Sequence, residues 1–317
     1  MGKKHKKDKG KKSTTKAGKG RVNKEIPNED GQLVEVDFAK PLGGFTDELR
    51  IEKGFSLAEF DPSSTPGFAG DKDDGKQALA AAKDEFSDLL ERLHAGSTAG
   101  SQDAILLVVQ GMDTSGKGGI MRHVVSINPQ NVNATAFKAP SKEEQAHDFL
   151  WRIEKALPEP GQFGVFDRSH YEDVLIVRVH DLVPEEEWST RYAKINAFER
   201  RVAGSGTTII KVMMHISKDE QKERLQERLD RPDKYYKYNP GDVDERQYWD
   251  AYMEAYQVAL DKCSTVKAPW HVIPADRKWY ARLAVQQLVL EALRGMRLEW
   301  PAADFDVEAE KARLADS

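Results

Sequence analysis

Residues 104–119 read AILLVVQGMDTSGKGG, and this stretch predicts the fold of the chain. Its first half is an apolar run typical of a buried strand, and its second half is a loop of the pattern Gly-x-x-x-x-Gly-Lys. The segment 120–127 that follows can form a helix. A strand, a glycine-rich loop and a helix in this order are what a phosphate-binding P-loop requires, whereas the alternative is a chance Gly-Lys turn after a core strand.

The loop residues have the properties that phosphate binding requires. Gly111 and Gly116 allow backbone dihedrals that other residues avoid, so the N–H groups of the loop can point inward. The helix N-terminus adds positive potential there, and Lys117 supplies a mobile point charge for the terminal phosphates. We expect the following residues of the loop and the first helical turns to bind phosphate: Gly111, Thr114, Ser115, Gly116, Lys117, Gly118, Gly119 and Arg122.

The position after the lysine departs from the usual P-loop pattern. Gly118 stands where a Ser or Thr normally supplies a hydroxyl ligand for Mg²⁺. Asp113 lies inside the loop instead, and a carboxylate beside phosphates is repulsive unless a metal or another cation lies between them. We therefore interpret Asp113 as a metal ligand, bound directly or through water.

A second predicted strand, residues 163–166, is followed by Asp167. Open α/β sheets bind ligands at the carboxyl ends of their strands, which is where a Walker-B acid holds Mg²⁺. The next residue, Arg168, can clamp a phosphate or brace the site. The alternative for Asp167 is an N-cap of the segment that follows it.

A basic helix is the third signal. Arg224, Arg228 and Arg231 share one face of a predicted helix, and like charges four residues apart repel one another. Pro232 ends this helix before a polar loop that contains Lys234, an arrangement typical of a mobile lid over phosphates. We therefore add Arg231 and Lys234 to the residues expected to bind phosphate. The alternative is a solvated surface helix whose arginines pair with neighbouring glutamates.

Two further candidates are less specific. Arg178 lies in an apolar stretch, so its charge must be paired, either with phosphates or with a buried carboxylate. An amphipathic helix predicted over 143–157 presents Asp148, Trp151 and Arg152 on its polar face. This face can hold an accepting nucleotide, with the Trp151 ring stacked on the base, although single aromatic residues at helical spacing more often serve packing.

The charge of the chain is asymmetric. Residues 1–24 contain eleven Lys or Arg and one Asp, a net charge of +10, so the remainder carries −15 within the total of −5. The segment 1–24 has almost no apolar residues and is predicted to be disordered, either as a solubilising tail or as a tether for a polyanion such as nucleic acid or polyphosphate. The acidic remainder argues against a general nucleic-acid-binding domain.

The cysteine count and the length of the apolar runs bear on the cellular location of the protein. The single cysteine, Cys263, allows no intrachain disulfide, which suits a reducing cytosol. No stretch approaches the ~20 consecutive apolar residues of a membrane span. We therefore expect a cytoplasmic protein that does not cross a membrane.

Predicted helices and strands alternate from residue 76 onward, beginning with a helix over 76–94. Short apolar runs predict three more strands, at 134–137, 207–216 and 270–273, with helices between them. This alternation indicates an α/β fold with a parallel sheet covered by helices on both faces. We divide the chain into a Lys-rich tail at 1–24, an N-terminal arm over the core at 25–75, a domain at 76–300 with a lid at about 218–245, and an acidic C-terminal tail at 301–317. We expect the C-terminal tail to be loose.

Three motifs together resemble the polyphosphate kinase type 2 family. They are GMDTSGKGG at 111–119, FDRSHYED at 166–173 and RLQERL at 224–229. The family shares both the Asp within the loop and the Gly after the lysine. The resemblance extends from about residue 60 to about residue 300 and implies a thymidylate-kinase-like P-loop kinase fold. In that fold a five-stranded parallel sheet lies between two layers of helices, with a helical lid.

The resemblance also implies an activity. These enzymes move phosphate between inorganic polyphosphate and nucleotides with Mg²⁺, and Mn²⁺ is a second metal to consider. The motif SHYED at 169–173 resembles the branch that acts on both nucleoside mono- and diphosphates. Matched by position, the functional residues are Asp113, Lys117, Asp167, Arg168, Arg178, Arg224 and Arg228, with Asp113 and Asp167 as metal ligands.

The expected partners are inorganic polyphosphate, nucleoside mono- and diphosphates, and further copies of the chain in a dimer or tetramer, but no membrane and no specific nucleic acid. Two other functions stay open on the sequence alone. One is an ATP-dependent nucleoside monophosphate kinase on the same fold, which differs in its phosphate donor. The other is a non-catalytic polyphosphate- or nucleotide-binding regulator, against which the joint presence of Asp113, Lys117 and Asp167 argues.

Overall fold

The computed structural model describes residues 23–27, 33–37, 42–125 and 131–317. Most of the tail predicted at 1–24 lies outside the described residues. The described strands are β1 (Asn23–Pro27), β2 (Leu33–Asp37), β3 (Ala104–Gln110), β4 (Val132–Ala136), β5 (Phe163–Asp167), β6 (Thr207–His215) and β7 (Trp270–Pro274).

Helices account for most of the remainder. The described α-helices are α1 (Phe45–Leu49), α2 (Lys72–Ala81), α3 (Lys83–Thr98), α4 (Lys117–His123), α5 (Lys142–Gln145), α6 (Trp151–Glu154), α7 (Ile176–Val179), α8 (Glu185–Gly204), α9 (Lys218–Asp230), α10 (Gly241–Asp244), α11 (Trp249–Cys263), α12 (Lys278–Gly295) and α13 (Val307–Ala315). Shorter 3₁₀ helices span His170–Val174, Pro232–Lys237 and Glu245–Tyr248. Among the described residues, no helix is both long and apolar enough to cross a bilayer.

The central sheet has five parallel strands in the order β4-β5-β3-β6-β7. Strand β3 lies in the middle, with Leu107 opposite Val165 of β5 and Ile210 of β6. Every residue of β3 is buried, which explains its unbroken apolar run, because a central parallel strand is covered on both faces. The carboxyl ends of β3 and β5 therefore lie side by side, and they carry the P-loop and Asp167.

Helices cover both faces of this sheet. Helices α2, α3 and α4 pack against α12, which lies on β6 and β7, whereas α8 packs on β6 and against α11. Lys211 of β6 points toward α8 and α11, so its neighbours Ile210 and Val212 point to the opposite face, where they are also buried. The predicted three-layer α/β fold with a parallel five-stranded sheet is confirmed.

The region 25–75, predicted as an arm over the core, contains regular structure. Strands β1 and β2 form an antiparallel pair, and Lys24 makes ion pairs with Asp71 and Asp74 at the start of α2. Further along, Phe45 of α1 is fully buried, and its N–H donates to the carboxylate of Glu291 on α12. The part of this region nearest the domain is thus tied to α12 by both apolar and polar contacts.

Two predicted helices are divided in the structure. A helix over 76–94 was expected, but α2 begins earlier, at Lys72, and is separated from α3 by Ala82. The amphipathic helix expected over 143–157 is instead two single turns, α5 and α6. The Asp148 carboxylate accepts a hydrogen bond from the Leu150 N–H, and this local capping competes with a continuous helix.

Two other boundaries also differ from the sequence prediction. The helix expected over 120–127 begins earlier, at Lys117, and its last two predicted residues lie outside the described residues. The C-terminal tail, expected to be loose, contains α13, which is exposed along its length. Its N-terminus is capped by Asp306, and Lys311 pairs with Glu308 one turn earlier, so local interactions stabilise this helix without a core.

A charged pair is buried beneath the turn that follows β5. The Lys211 ammonium donates to the Glu199 carboxylate at 2.6 Å, to the Tyr171 hydroxyl at 2.8 Å and to the Cys263 carbonyl at 2.6 Å. The other Glu199 oxygen lies 3.2 Å from the His170 ring. Burial alone would raise the pKa of Glu199, but Lys211 and His170 hold this pKa below its usual value.

Removing one member of this pair is expected to be costly. Glu199→Gln leaves the Lys211 ammonium buried without a counter-charge, so the free energy of unfolding should fall by about 3–5 kcal/mol. The double variant Glu199→Leu with Lys211→Met removes both charges and should lose less. Urea unfolding measures both, with Glu186→Gln on the exposed face of α8 as the matched control. Equal stability of Glu199→Gln and the wild type would contradict the expectation.

Candidate active site

The P-loop connects β3 to α4 and requires glycine at its first position. Gly111 has φ 146° and Gly116 has φ 116°, both in the region that side chains avoid. A Cβ atom at Gly111 would lie 2.7 Å from the carbonyl oxygen of Met214 on β6, so no larger residue fits there. Thr114 also has a positive φ, 64°. The hydroxyls of Thr114 and Ser115 are buried and have no hydrogen-bond partner among the described residues, as expected for donors that meet a ligand.

Lys117 is folded back across the loop. Its side chain is buried, and the ammonium donates to the carbonyls of Gly111 at 2.6 Å and Met112 at 3.2 Å. Burial lowers the pKa of Lys117, while the nearby carboxylates of Asp113 and Asp167 act in the opposite direction. Within the described residues no carboxylate accepts a hydrogen bond from this ammonium, so its positive charge is available to phosphate oxygens at the loop.

Asp113 and Arg168 face each other across the site. One Arg168 nitrogen donates to an Asp113 oxygen at 3.0 Å, and both side chains are partly exposed. Arg168 has φ 62°, an unfavourable conformation for a residue other than glycine, and its N–H donates to the Val109 carbonyl of β3. The strained turn places the arginine directly after Asp167 at the edge of the sheet. Backbone strain of this kind is found preferentially at functional sites.

A cleft of about 420 Å³ opens in front of these residues. Gly111, Asp113 and Arg168 line one side, and the segment from Asn239 to Asp242 lines another. Asp167 lies instead on a neighbouring cleft of about 300 Å³, beside Met121 and Thr135. Asp113 in the P-loop and Asp167 at the end of β5 therefore line neighbouring openings.

Glu172 is a cleft residue to which sequence reasoning assigned no role. It lies in the 3₁₀ helix after Arg168, and burial raises its pKa, whereas Arg168 and Lys117 lower it. When the side-chain amide of Gln110 is oriented to hydrogen-bond with both Ser169 and Glu172, its nitrogen donates to a Glu172 carboxylate oxygen at 3.1 Å and its oxygen accepts from Ser169. The signal was present in the motif at 166–173, which places a second acid five residues after Asp167.

Arg224 is already fully hydrogen-bonded by the protein. Its side chain is 5% exposed and forms five bonds. The acceptors are the carboxylate of Glu220 at 2.7 Å and the carbonyls of Thr114 at 2.9 Å, Ser115 at 3.0 Å, Ala275 at 2.6 Å and Asp276 at 2.9 Å. All five N–H donors of the guanidinium are thus used. The structure places Arg224 as a brace between α9, the P-loop and the end of β7.

The other predicted lid cations lie on or after the end of α9. Arg228 donates to the Lys237 carbonyl at 2.8 Å and to the Asp242 carboxylate at 3.0 Å. Arg231 is exposed and pairs with Glu227 and with Asp233, as the alternative of a salt-bridged surface helix anticipates. Lys234 lies in the 3₁₀ helix that follows and is partly exposed.

The remaining candidates are dispersed. Arg178 pairs with Glu254 of α11 and lies over the Trp188 ring, so it meets a carboxylate and is not among the residues that line the cleft.

Arg152 lines the cleft and donates to the Lys138 carbonyl at 2.8 Å. Trp151 stacks on His147, with ring centroids 4.0 Å apart, and the Lys155 ammonium lies over its ring. Asp148 lines an adjacent cleft of about 550 Å³.

Other phosphate-binding candidates lie at the start of α4. Gly118 is exposed on its first turn, and no atom beyond its immediate neighbours would meet a side chain there. Gly119 is partly buried beside Arg282 of α12, and Arg122 is exposed one turn further along.

The brace assigned to Arg224 leads to a prediction about stability. Arg224→Ala leaves buried carbonyls of the P-loop and β7 without donors, which should lower the free energy of unfolding by at least about 1–3 kcal/mol as well as reduce phosphoryl transfer. Arg224→Lys retains the charge with fewer donors and should be intermediate. Unfolding by urea and turnover are measured side by side, with Arg200→Ala, which removes an exposed arginine of α8, as the control. Lost turnover with wild-type stability would indicate a phosphate contact rather than a brace.

Comparisons with known proteins agree with this geometry. Residues 69–301 match the profile of the family described as Polyphosphate kinase 2 (PPK2). An AMP/ADP-polyphosphate phosphotransferase of Meiothermus ruber is 45% identical over 248 residues, which covers 78% of this chain and 91% of that protein. An ADP-polyphosphate phosphotransferase of Rhodopseudomonas palustris is 42% identical over 271 residues, which covers 81% of this chain and 92% of that protein.

A solved structure supports the same assignment. The crystal structure of Polyphosphate Kinase 2 from Arthrobacter aurescens TC1 matches with a TM-score of 0.86 at 57% sequence identity, and the match covers 89% of this chain and 99% of that one. The P-loop, the acid at the end of β5 and the basic helix α9 all fall within the residues that match the family profile. On sequence and structure together, the chain belongs to the polyphosphate kinase 2 family.

Proposed function

We propose that this chain is a phosphotransferase that moves a phosphoryl group between inorganic polyphosphate and nucleoside mono- or diphosphates. Transfer to AMP, ADP, GMP or GDP would yield the nucleotide with one more phosphate. The reverse transfer would use the same side chains of the site. The observation that carries this proposal is the P-loop with Lys117 and two unpartnered buried hydroxyls, open to a cleft beside Arg168. Family membership and the names of its relatives support the choice of substrates.

The proposed chemistry depends on positioning and charge. The P-loop N–H groups and Lys117 hold the phosphoryl group that is transferred, and Arg168 stabilises the negative charge that develops on it. A phosphate oxygen of the nucleotide in the cleft can then attack the terminal phosphorus of the polyphosphate in line, with Arg152 at the cleft wall available to bind the acceptor. The bond from that phosphorus to the next phosphate breaks, and the polyphosphate leaves one unit shorter. No covalent intermediate with a protein side chain is required.

The acidic residues fit a divalent cation that is bound together with phosphates. Asp113 and Asp167 both lie close enough to Lys117 to affect its pKa, and Glu172 does so as well. Among the described residues no three His, Cys, Asp or Glu side chains form a cage, which matches Mg²⁺, since this ion usually takes one or two carboxylates and completes its shell with phosphates and water. We propose Asp113 and Asp167 as the ligands of Mg²⁺ or Mn²⁺, which would neutralise phosphate charge when bound.

Use of both mono- and diphosphate acceptors is part of this proposal. The segment 169–173, which resembles the branch of broader acceptor range, forms a wall of the cleft through Glu172 and Asp173. Asp173 accepts from Arg191 at 2.8 Å, and burial raises its pKa to about 6. The homo-oligomeric state and the cytoplasmic location stay predictions from the sequence.

A donor–acceptor matrix tests the activity. Polyphosphate or ATP is supplied as sole donor against AMP, ADP, GMP and GDP, and we expect transfer from polyphosphate to both mono- and diphosphates. Lys117→Ala should lower this turnover by about 10²–10³-fold, because one preorganised cationic donor is lost. The exposed Lys267→Ala is the matched control. Transfer from ATP alone would favour a nucleoside monophosphate kinase, and no transfer from either donor would favour a binding protein.

The metal ligands are tested by titrating Mg²⁺ against turnover. Asp113→Asn and Asp167→Asn should each require a higher Mg²⁺ concentration for half-maximal rate, or lose activity, since Gly118 offers no hydroxyl ligand. Asp88→Asn on α3, which removes a surface carboxylate paired with Arg92, should match the wild type. A wild-type Mg²⁺ dependence in both site variants would rule out these two residues as ligands.

A further inference from the structure

A buried glutamine of α9 connects the P-loop to the segment that follows the predicted lid. Gln221 is 2% exposed, and its side-chain nitrogen donates to the backbone carbonyl of Asp113 at 3.0 Å. Its side-chain oxygen accepts from the Arg246 guanidinium at 2.7 Å. A backbone carbonyl cannot donate and a guanidinium cannot accept, so the Gln221 amide has a single orientation here.

The carbonyl that Gln221 holds belongs to a strained part of the loop. The next residue, Thr114, has φ 64°, which is an outlier for a β-branched residue. Such a conformation persists only where the surrounding structure holds it in place. Within the described residues, the hydrogen bond from Gln221 is the one that the Asp113 carbonyl accepts. Gln221 therefore helps to hold the peptide between Asp113 and Thr114 in its unusual orientation.

The orientation of this peptide also sets the direction of a backbone donor. Because a peptide is planar and trans, the N–H of Thr114 points away from the Asp113 carbonyl, and thus away from α9. Among the described residues, no acceptor is bound to this N–H, which leaves it available to a phosphate oxygen. The carbonyls of Thr114 and Ser115 are held separately by Arg224, one turn further along α9.

Arg246 fixes the other end of the Gln221 side chain. One Arg246 nitrogen donates both to the Gln221 oxygen and to the backbone carbonyl of Lys218 at 3.0 Å. Lys218 is the first residue of α9, whereas Arg246 lies in the 3₁₀ helix Glu245–Tyr248, directly after the lid predicted at about 218–245. The two ends of the predicted lid are therefore joined where α9 meets the P-loop.

We propose that Gln221 is a positioning residue for phosphoryl transfer and that Arg246 holds it in place. Gln221 acts through the peptide between Asp113 and Thr114. It aims the Thr114 N–H at the phosphoryl group that is transferred, and it fixes the backbone that carries the Asp113 carboxylate. This inference rests on the proposed function and adds to it two residues that lie outside the P-loop.

The first test replaces Gln221 with methionine, which has a similar length but cannot donate a hydrogen bond. Gln221→Met should lower kcat about ten- to a hundredfold, since small misplacements of reacting groups cost up to about 10²-fold in rate. The Mg²⁺ concentration for half-maximal rate should rise, because Asp113 is displaced, and the KM for the nucleotide acceptor should not change. Gln247→Met, which replaces an exposed glutamine beside Arg246, is the matched control and should match the wild type.

Thermal midpoints separate positioning from a structural role, and turnover is measured well below them. A structural glutamine would lower the midpoint on replacement, yet leave kcat and the Mg²⁺ dependence of the folded enzyme at wild-type values. Because Gln221 also lines the cleft, a direct contact with the acceptor would raise the acceptor KM at unchanged kcat. Either result would overturn the proposal.

A double variant tests the role of Arg246. Arg246→Met should lower kcat less than Gln221→Met does, since it frees the Gln221 amide without removing it. In the double variant the fall should equal that of Gln221→Met alone, because both residues act through the same hydrogen bond. If the two effects multiply instead, Arg246 acts by another route, and the role assigned to it is overturned.

A further test does not depend on turnover. The backbone N–H of Thr114 is observed by NMR in enzyme labelled with ¹⁵N-threonine, and its signal is assigned by its absence from Thr114→Ser. On addition of tripolyphosphate with Mg²⁺, this signal should move downfield in the wild type and move less or not at all in Gln221→Met.

The NMR outcomes distinguish this inference from the proposed function. Equal shifts in both proteins, or bound tripolyphosphate that leaves the wild-type Thr114 signal in place, would overturn the role of Gln221 and leave the proposed function intact. If the wild type neither binds tripolyphosphate nor transfers phosphate from polyphosphate, both proposals fail.

Discussion

The guanidinium of Arg224 donates hydrogen bonds to three segments that are distant in sequence: helix α9, the P-loop and the end of β7. A buried cation is stable only when its donors are satisfied, and four of its five acceptors are backbone carbonyls that also need a donor. The geometry of the P-loop is therefore fixed by hydrogen bonds from Arg224 of α9 as well as by the glycines of the loop. Because the base of α9 is anchored in this way, the lid predicted at about 218–245 would move only in the segment beyond Arg224.

Much of the fold was predictable from local patterns, because strands and loops of this kind are determined by neighbouring residues. The apolar run at 104–109 predicts a buried strand, and the glycine at 111 predicts backbone dihedrals that other residues avoid; both features are found. Contacts between distant residues were not predictable. The carboxylate that pairs with Arg178 belongs to Glu254, on a different helix, and nothing in the apolar stretch around Arg178 indicates which carboxylate that is.

The sequence predicted which residues belong to the candidate site better than it predicted their hydrogen-bond and ion-pair partners. Asp113 and Arg168 meet, but their pairing depends on the strained turn after β5, which no local pattern announces. Glu172 was overlooked because its role depends on burial and on nearby cations rather than on spacing alone. The helix expected over 143–157 failed for a related reason, since the Asp148 side chain offers its backbone an alternative hydrogen bond.

The positive φ of Arg168 has a consequence for how this enzyme can change. A left-handed conformation at a residue other than glycine costs on the order of 1–3 kcal/mol, and glycine at the same place would avoid most of that cost. Given the role proposed for Arg168 in phosphoryl transfer, Arg168→Gly would be favoured in a selection for thermostability and rejected in a selection for turnover. Stability and turnover thus favour different residues at this position, so substitutions that stabilise the enzyme without lowering its turnover have to be sought elsewhere in the chain.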